Sequence, residues 1–192
     1  MTIRLSDRLL SLPGYPLAEI PSIKRRLIES GVDVIDMGAG DNDAPPPADV
    51  LREMNAALAD PAMSKYGFQQ GYPGFRRAAS DYVARRFGHR FDPATEILPL
   101  IGSKDGLAHL PFAFVNAGEA VILPEPGYQA YIGGAILSGA EPYVYPLTAG
   151  EGFLLDLDRV PAAVLDRTRL VFVNYPNNPT AAVAPLDRKS VV

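Results

Sequence analysis

The chain has 192 residues, 47% hydrophobic and 21% charged, and its 18 Lys+Arg against 22 Asp+Glu leave a net charge of -4. That length suits about one domain with a sizeable core, the apolar runs fall short of the roughly 18 residues a membrane span needs, and no basic stripe supplies the footprint of a nucleic-acid binder. The absence of cysteine excludes disulfides, a thiolate nucleophile and Cys-ligated zinc, and two separated histidines, His89 and His109, argue against a His metal site.

The start, MTIRLSDRLL, lacks the apolar core of a signal peptide, so a cytoplasmic protein is expected. The segment to Tyr15 reads as an irregular arm. Ile23, Leu27 and Ile28 share one face of a short helix that Pro21 can start and Gly31 can end. DVIDM (33–37) reads as a strand. After the turn-rich GAGDNDAPPP, a helix from about Pro47 presents Val50, Leu51, Met54, Ala57 and Leu58 on one side, and another runs from about Pro73 to Phe87 with Gly88 as its C-terminal cap.

From residue 96 the pattern repeats: EILPLI, a helix from Ser103; AVILP, a helix from Tyr128; EPYVYPL, a short helix near 156–164; then RLVFVNYP. Short apolar strands alternating with helices predict an α/β fold, a mainly parallel sheet with flanking helices, whose ligands bind at the carboxyl ends of the strands. The glycines and prolines are dispersed between these segments and mark turns, not a linker.

Three turns at strand ends carry the candidate chemistry. Ile101-Gly102-Ser103-Lys104-Asp105-Gly106 opens a helix whose unpaired N–H groups and partial positive charge suit a phosphate, although the bland reading of Ser103 alone is an ordinary N-cap. The glycine spacing fits neither the Walker nor the dinucleotide fingerprint. Pro124-Glu125-Pro126-Gly127-Tyr128 holds a ring that can stack on a planar heterocycle, or that simply packs as a turn tyrosine. In Asn174-Tyr175-Pro176-Asn177-Asn178-Pro179-Thr180, two prolines stiffen a turn that aims an asparagine at low ordering cost, while Asn-Pro is also a plain turn signal.

Taken together and in this order, GSKDG, PGY and NYPNNPT resemble the pyridoxal-phosphate-dependent aminotransferases of class I/II, fold type I. The resemblance implies that Ser103 and Lys104 bind the cofactor phosphate, that Tyr128 packs on its ring and that Asn178 contacts its phenolic oxygen. DMGAGDND is similar to the family's Ile-Gly-Glu-Pro-Asp turn, which implies that the Gly40 amide meets the substrate carboxylate. KYGFQQGYPGFRR resembles the family's Tyr-Gly segment, which implies that Tyr66 reaches the cofactor phosphate of the partner subunit in a homodimer. The arm LPGYPLAEI is similar to the start of the diaminopimelate aminotransferase branch, where Tyr15 would approach the substrate.

The resemblance covers an N-terminal half: an arm and small-domain segment over 1–45 and an incomplete cofactor-binding large domain over 46–192. The function it implies is transfer of an amino group between an amino acid and a 2-oxo acid. A β-eliminating pyridoxal-phosphate enzyme, a non-catalytic remnant and a small phosphate-ligand binding module are the alternatives. The family's covalently bonding lysine stands in a Ser-x-Ser-Lys context, which none of the four lysines at 24, 65, 104 and 189 has, so that lysine is expected beyond residue 192 and the chain alone is expected to be inactive. In the family's sheet the strand before the phosphate turn joins the others through strands of the later half, so EILPLI is expected to lose its neighbours. Where the family has Asn-Pro-Thr-Gly this chain has Ala181, which costs about 1 kcal/mol if the position needs positive φ.

Overall fold

In a computed structural model of the protein, the described residues are 3–14, 16–38, 42, 44–64 and 70–185. In chain order the helices and strands are α1 (Asp7–Leu10), α2 (Ile20–Glu29), α3 (Ala48–Leu58), α4 (Pro73–Phe87), α5 (Ser103–Phe114), β1 (Ala120–Glu125), α6 (Ala130–Ser138), β2 (Glu141–Pro146), α7 (Ala162–Leu165) and β3 (Thr168–Val171). They form two compact units, one of residues 1–14 with 100–192 and the other of residues 15–99. Among the described residues no helix is long and apolar enough to cross a membrane.

The unit of residues 15–99 is helical. Pro21 lies in the first turn of α2, where its missing N–H costs nothing, and Pro73 does the same for α4. Gly88 closes α4 in the left-handed conformation at φ 73°, as the sequence predicts. Buried Ser80 fixes the following loop to α4 by donating to the Phe91 carbonyl at 2.6 Å. The expected strand at 33–37 is not formed: among the described residues the segment pairs with no other strand, and Ile35 and Met37 are exposed. What holds it is Asp36, which accepts from Lys24 Nζ at 2.7 Å and from the Gly38 N–H at 2.9 Å.

The other unit is a parallel sheet of order β2-β1-β3. Successive residues of β1 point to opposite faces, so Val121 and Leu123 enter one core with Tyr131, Ala135 and Phe172, while Ile122 enters a second with Tyr145, Leu147 and Val160. A central parallel strand buried on both faces must be apolar throughout, which is why AVILP was legible. Helix α6 lies close enough to α5 that a Cβ on Gly134 would sit 2.5 Å from the Ala108 carbonyl oxygen. From the arm, Arg8 donates to the Leu137 carbonyl at the end of α6.

EILPLI (96–101) forms no strand, in agreement with the expected loss of its neighbours, and Leu98 and Ile101 are exposed. The helix expected near 156–164 is a 3-10 turn at Leu157–Arg159 followed by α7. Among the described residues both outer strands lack a neighbour on one side, and Val144, Val173, Phe112 and Phe114 are exposed, apolar surface of the kind that promotes association.

At the amino ends of the strands, Glu119 accepts from the Asn116 N–H at 2.8 Å and from Arg169 Nε at 2.7 Å. The Asn116 N–H first and Arg169 second hold its carboxyl below the ordinary carboxylate range. Asp36 is lowered by Lys24 and the Gly38 N–H, and Asp92 by the Ala94 N–H and Thr95. A depressed carboxylate stabilises the fold above its unfolded pKa, and that contribution is lost as pH falls through the folded value. The urea midpoint is therefore expected to hold level from neutrality to about pH 5 and to fall steadily below the ordinary carboxylate range. A midpoint that rises on acidification to pH 3 contradicts this.

Candidate cofactor site

Tyr128 leads from β1 into α6, and its carbonyl accepts from the Tyr131 N–H at 3.1 Å. The two rings meet edge to face, 5.9 Å apart at 80°, and Tyr131 in turn stacks on Phe172 at 4.3 Å and 14°. These contacts give the half-buried Tyr128 ring a fixed support rooted in the core. Burial first, and then the neighbouring Tyr128, push the Tyr131 hydroxyl above its ordinary pKa, so Tyr131 stays neutral and packs as an aromatic.

Helix α5 begins one residue earlier than the ordinary-cap reading of Ser103 requires. Gly102 is the N-cap, at φ 99° and ψ 152°, and Ser103 is the first helical residue, so its hydroxyl does not cap the helix. A side chain at Gly102 would strain that backbone, while the space a Cβ would occupy has no atom within 4 Å. The result is an exposed helix start with N–H groups directed outward and room in front of it. Lys104 brings its ammonium to 5.8 Å from the centroid of the Tyr128 ring, which joins the first turn to the second.

The third turn follows β3. Its two asparagines differ sharply: Asn177 is 3% exposed, whereas Asn178 is exposed. The Asn178 N–H donates to Asn174 Oδ1 at 3.0 Å, which fixes the backbone at the residue the sequence singles out. Asn177 Nδ2 donates to the Pro126 carbonyl at 3.4 Å and so ties this turn to the one that carries Tyr128. Tyr175 Oη accepts from the Leu155 N–H at 2.7 Å and donates to the Phe153 carbonyl at 3.0 Å, anchoring the turn from behind.

Ala181 lies at φ 60°, the conformation that favours glycine. Because its side chain is exposed, Ala181→Gly is expected to raise stability by about 0.5–1 kcal/mol, read as a higher urea midpoint. An unchanged or lower midpoint would mean that the left-handed backbone is not held there.

The structure thus links the three turns that carry Ser103, Lys104, Tyr128 and Asn178 by two direct contacts, Lys104 to the Tyr128 ring and Asn177 to the Pro126 carbonyl. Tyr15, Gly40 and Tyr66 lie outside the described residues. The sequence reading overlooked Asn177, Tyr131 and Phe172. The doubled asparagine was a visible signal for the first, but which of the two is buried depends on how the turn folds.

Residues 32–188 match the family model of aminotransferase class I and II, most of the chain. The chain belongs to that family. An LL-diaminopimelate aminotransferase of Desulforudis audaxviator is 48% identical over 179 residues, covering 93% of this chain and 46% of the relative. One of Aquifex aeolicus is 46% identical over 182 residues, covering 95% of this chain and 47% of the relative. Among solved structures, apo-BacF of Bacillus subtilis superposes with a TM-score of 0.87 at 34% identity, over 96% of this chain and 47% of that one. A probable N-succinyldiaminopimelate aminotransferase of Thermus thermophilus gives 0.81 at 36% identity, over 91% and 47%.

This aminotransferase chain therefore spans about half the length of the curated relatives it matches, and the matched part is an N-terminal half. Its fold is that of fold type I enzymes, α/β with a parallel sheet and flanking helices. Class I and II aminotransferases depend in general on pyridoxal phosphate, and the homologues act on amino and 2-oxo acids.

Proposed function

We propose that this chain builds the cofactor-holding part of an aminotransferase site, in which pyridoxal 5'-phosphate lies across the three strand-end turns. The observation that carries the reading is the meeting of those turns: an open helix N-terminus, a cation over an aromatic face, and an asparagine turn bonded to the aromatic turn. The residues fit such a group chemically. The first-turn N–H groups of α5 with Lys104 neutralise a phosphate, and Ser103 adds a hydroxyl donor. The Tyr128 ring supports a flat heterocycle, and Asn178 supplies a neutral amide to an oxygen on it. When bound, the cofactor acts as an electron sink for bond breaking at an amino acid's α-carbon.

The remaining roles follow the same reading. Tyr66 reaches the phosphate held by the partner subunit of a homodimer, Gly40 offers its amide to the substrate carboxylate, and Tyr15 borders the substrate. The reaction is transfer of an amino group from an amino acid to a 2-oxo acid, in the cytoplasm. The names of the relatives support LL-diaminopimelate as the amino acid concerned. These residues bind and orient; proton transfer at the α-carbon needs a lysine that the sequence does not provide in the family's context.

Titration with pyridoxal 5'-phosphate tests the reading, followed by calorimetry and by quenching of tyrosine fluorescence in a protein that has no tryptophan. Saturable binding is expected, with Tyr128→Leu weakening it about tenfold through the lost stacking. Unsaturable binding, or equal affinity in the variant, contradicts the proposal.

A further inference from the structure

We propose that Asn177 is a positioning residue that sets the placement of Tyr128 relative to Asn178. The inference rests on the cofactor reading above but is argued from the turn itself. A primary amide offers an acceptor at one end and donors at the other, and the two ends of this one serve different turns. Asn177 Oδ1 accepts from the Thr180 N–H at 3.2 Å and from the Thr180 hydroxyl at 3.0 Å, closing the turn that contains Asn178. Because a backbone N–H can only donate, the Thr180 contact fixes which end of the amide is the oxygen. The opposite end, Nδ2, donates across to the Pro126 carbonyl, two residues before Tyr128.

The backbone of Asn177 is used as fully as its side chain. Its N–H donates to the Ala182 carbonyl at 2.8 Å, and its carbonyl accepts from the Ala181 N–H at 2.7 Å. With the residue 3% exposed, water cannot replace these partners. Aspartate at this place would keep the volume and the acceptor for Thr180 but lose the donor, and would set a carboxylate against the Pro126 carbonyl. Alanine would release both turns. Asparagine therefore does at this position what neither of its nearest substitutes does, and Asn178, the exposed neighbour, is left free of that structural duty to face a ligand.

The test uses the chain itself. In the wild-type protein, a nuclear Overhauser contact from the Asn177 side-chain amide to Pro126 or Gly127 protons is expected, and its absence overturns the proposal whatever the variants do. In Asn177→Asp without ligand, the backbone amide resonances of Gly127 and Tyr128 are expected to move; unmoved resonances also overturn it. With ligand, Asn177→Asp is expected to weaken pyridoxal 5'-phosphate about tenfold while leaving the affinity for inorganic phosphate unchanged, because α5 does not depend on this bond. Equal loss for both ligands would mean a merely structural role and contradicts the proposal. If the wild-type chain shows the contact yet binds no pyridoxal phosphate, the cofactor reading fails and the role of Asn177 in joining the turns stands.

Discussion

Incubated with pyridoxal phosphate, an amino acid and a 2-oxo acid, a polypeptide of these 192 residues is expected to form no transamination product above the protein-free rate. The reason lies in what its lysines do. Lys24 is paired with Asp36 at 2.7 Å in the unit of residues 15–99, and Lys104 lies over the Tyr128 ring beside the helix start, where the cofactor reading assigns it to a phosphate. Lys65 and Lys189 lie outside the described residues, and neither stands in the Ser-x-Ser-Lys context. A positioned general base alone is worth about 10²–10⁴-fold, and loss of covalent attachment to the cofactor adds to that deficit. Amino-acid analysis of the reaction mixture over protein concentration checks the expectation. Product formation linear in protein would show that one of these four amines, or another group, performs the proton transfer.

Two neighbouring glycines of α6 are expected to respond to alanine in opposite directions. A Cβ at Gly133 meets no atom within 4 Å, so Gly133→Ala gains helix propensity without a clash and is expected to stabilise the chain by about 0.5–1 kcal/mol. A Cβ at Gly134 would sit 2.5 Å from the Ala108 carbonyl oxygen of α5, and that atom belongs to a helix backbone, which cannot turn aside as a side chain does. Helix α6 must then lift from α5, which separates Leu107 and Ile132 from the core around Tyr131. The packing loss of about 2–3 kcal/mol exceeds the propensity gain, so Gly134→Ala is expected to be clearly destabilised. Urea midpoints of both variants decide it, and two shifts of the same sign would contradict the close approach of these helices. Lifting α6 also moves Tyr128, so the cofactor site and this packing stand or fall together.

Strand β1 of the sheet unit and helix α4 of the helical unit were legible because each is fixed by a local rule that tertiary structure did not override. AVILP is apolar at every position, as a central parallel strand must be, and Pro73 with Gly88 marked both ends of α4. DVIDM also has a short apolar centre, but a strand needs a partner backbone, and among the described residues none pairs with it. Its fate is decided by a neighbour, which no window of sequence contains. The same physics removes the strand character of EILPLI, although there the expected loss of neighbours anticipated the outcome.

At the site, the residue types were legible and the division of labour was not. The spacing of GSKDG, PGY and NNPT gave the three turns in order. That Gly102 and not Ser103 caps α5 follows from a backbone angle, and that Asn177 turns inward while Asn178 stays exposed follows from the path of the turn. Ala181 is the instructive case: its left-handed backbone was anticipated from a missing glycine and is present at φ 60°.

The measurement that tests the central claim most directly is a titration of the isotopically labelled chain with pyridoxal 5'-phosphate, followed by the backbone amide resonances. Joint binding by three turns predicts that Ser103, Tyr128 and Asn178 shift together and fit a single dissociation constant. Movement confined to one of the three, or separate constants for each, would contradict a shared cofactor site.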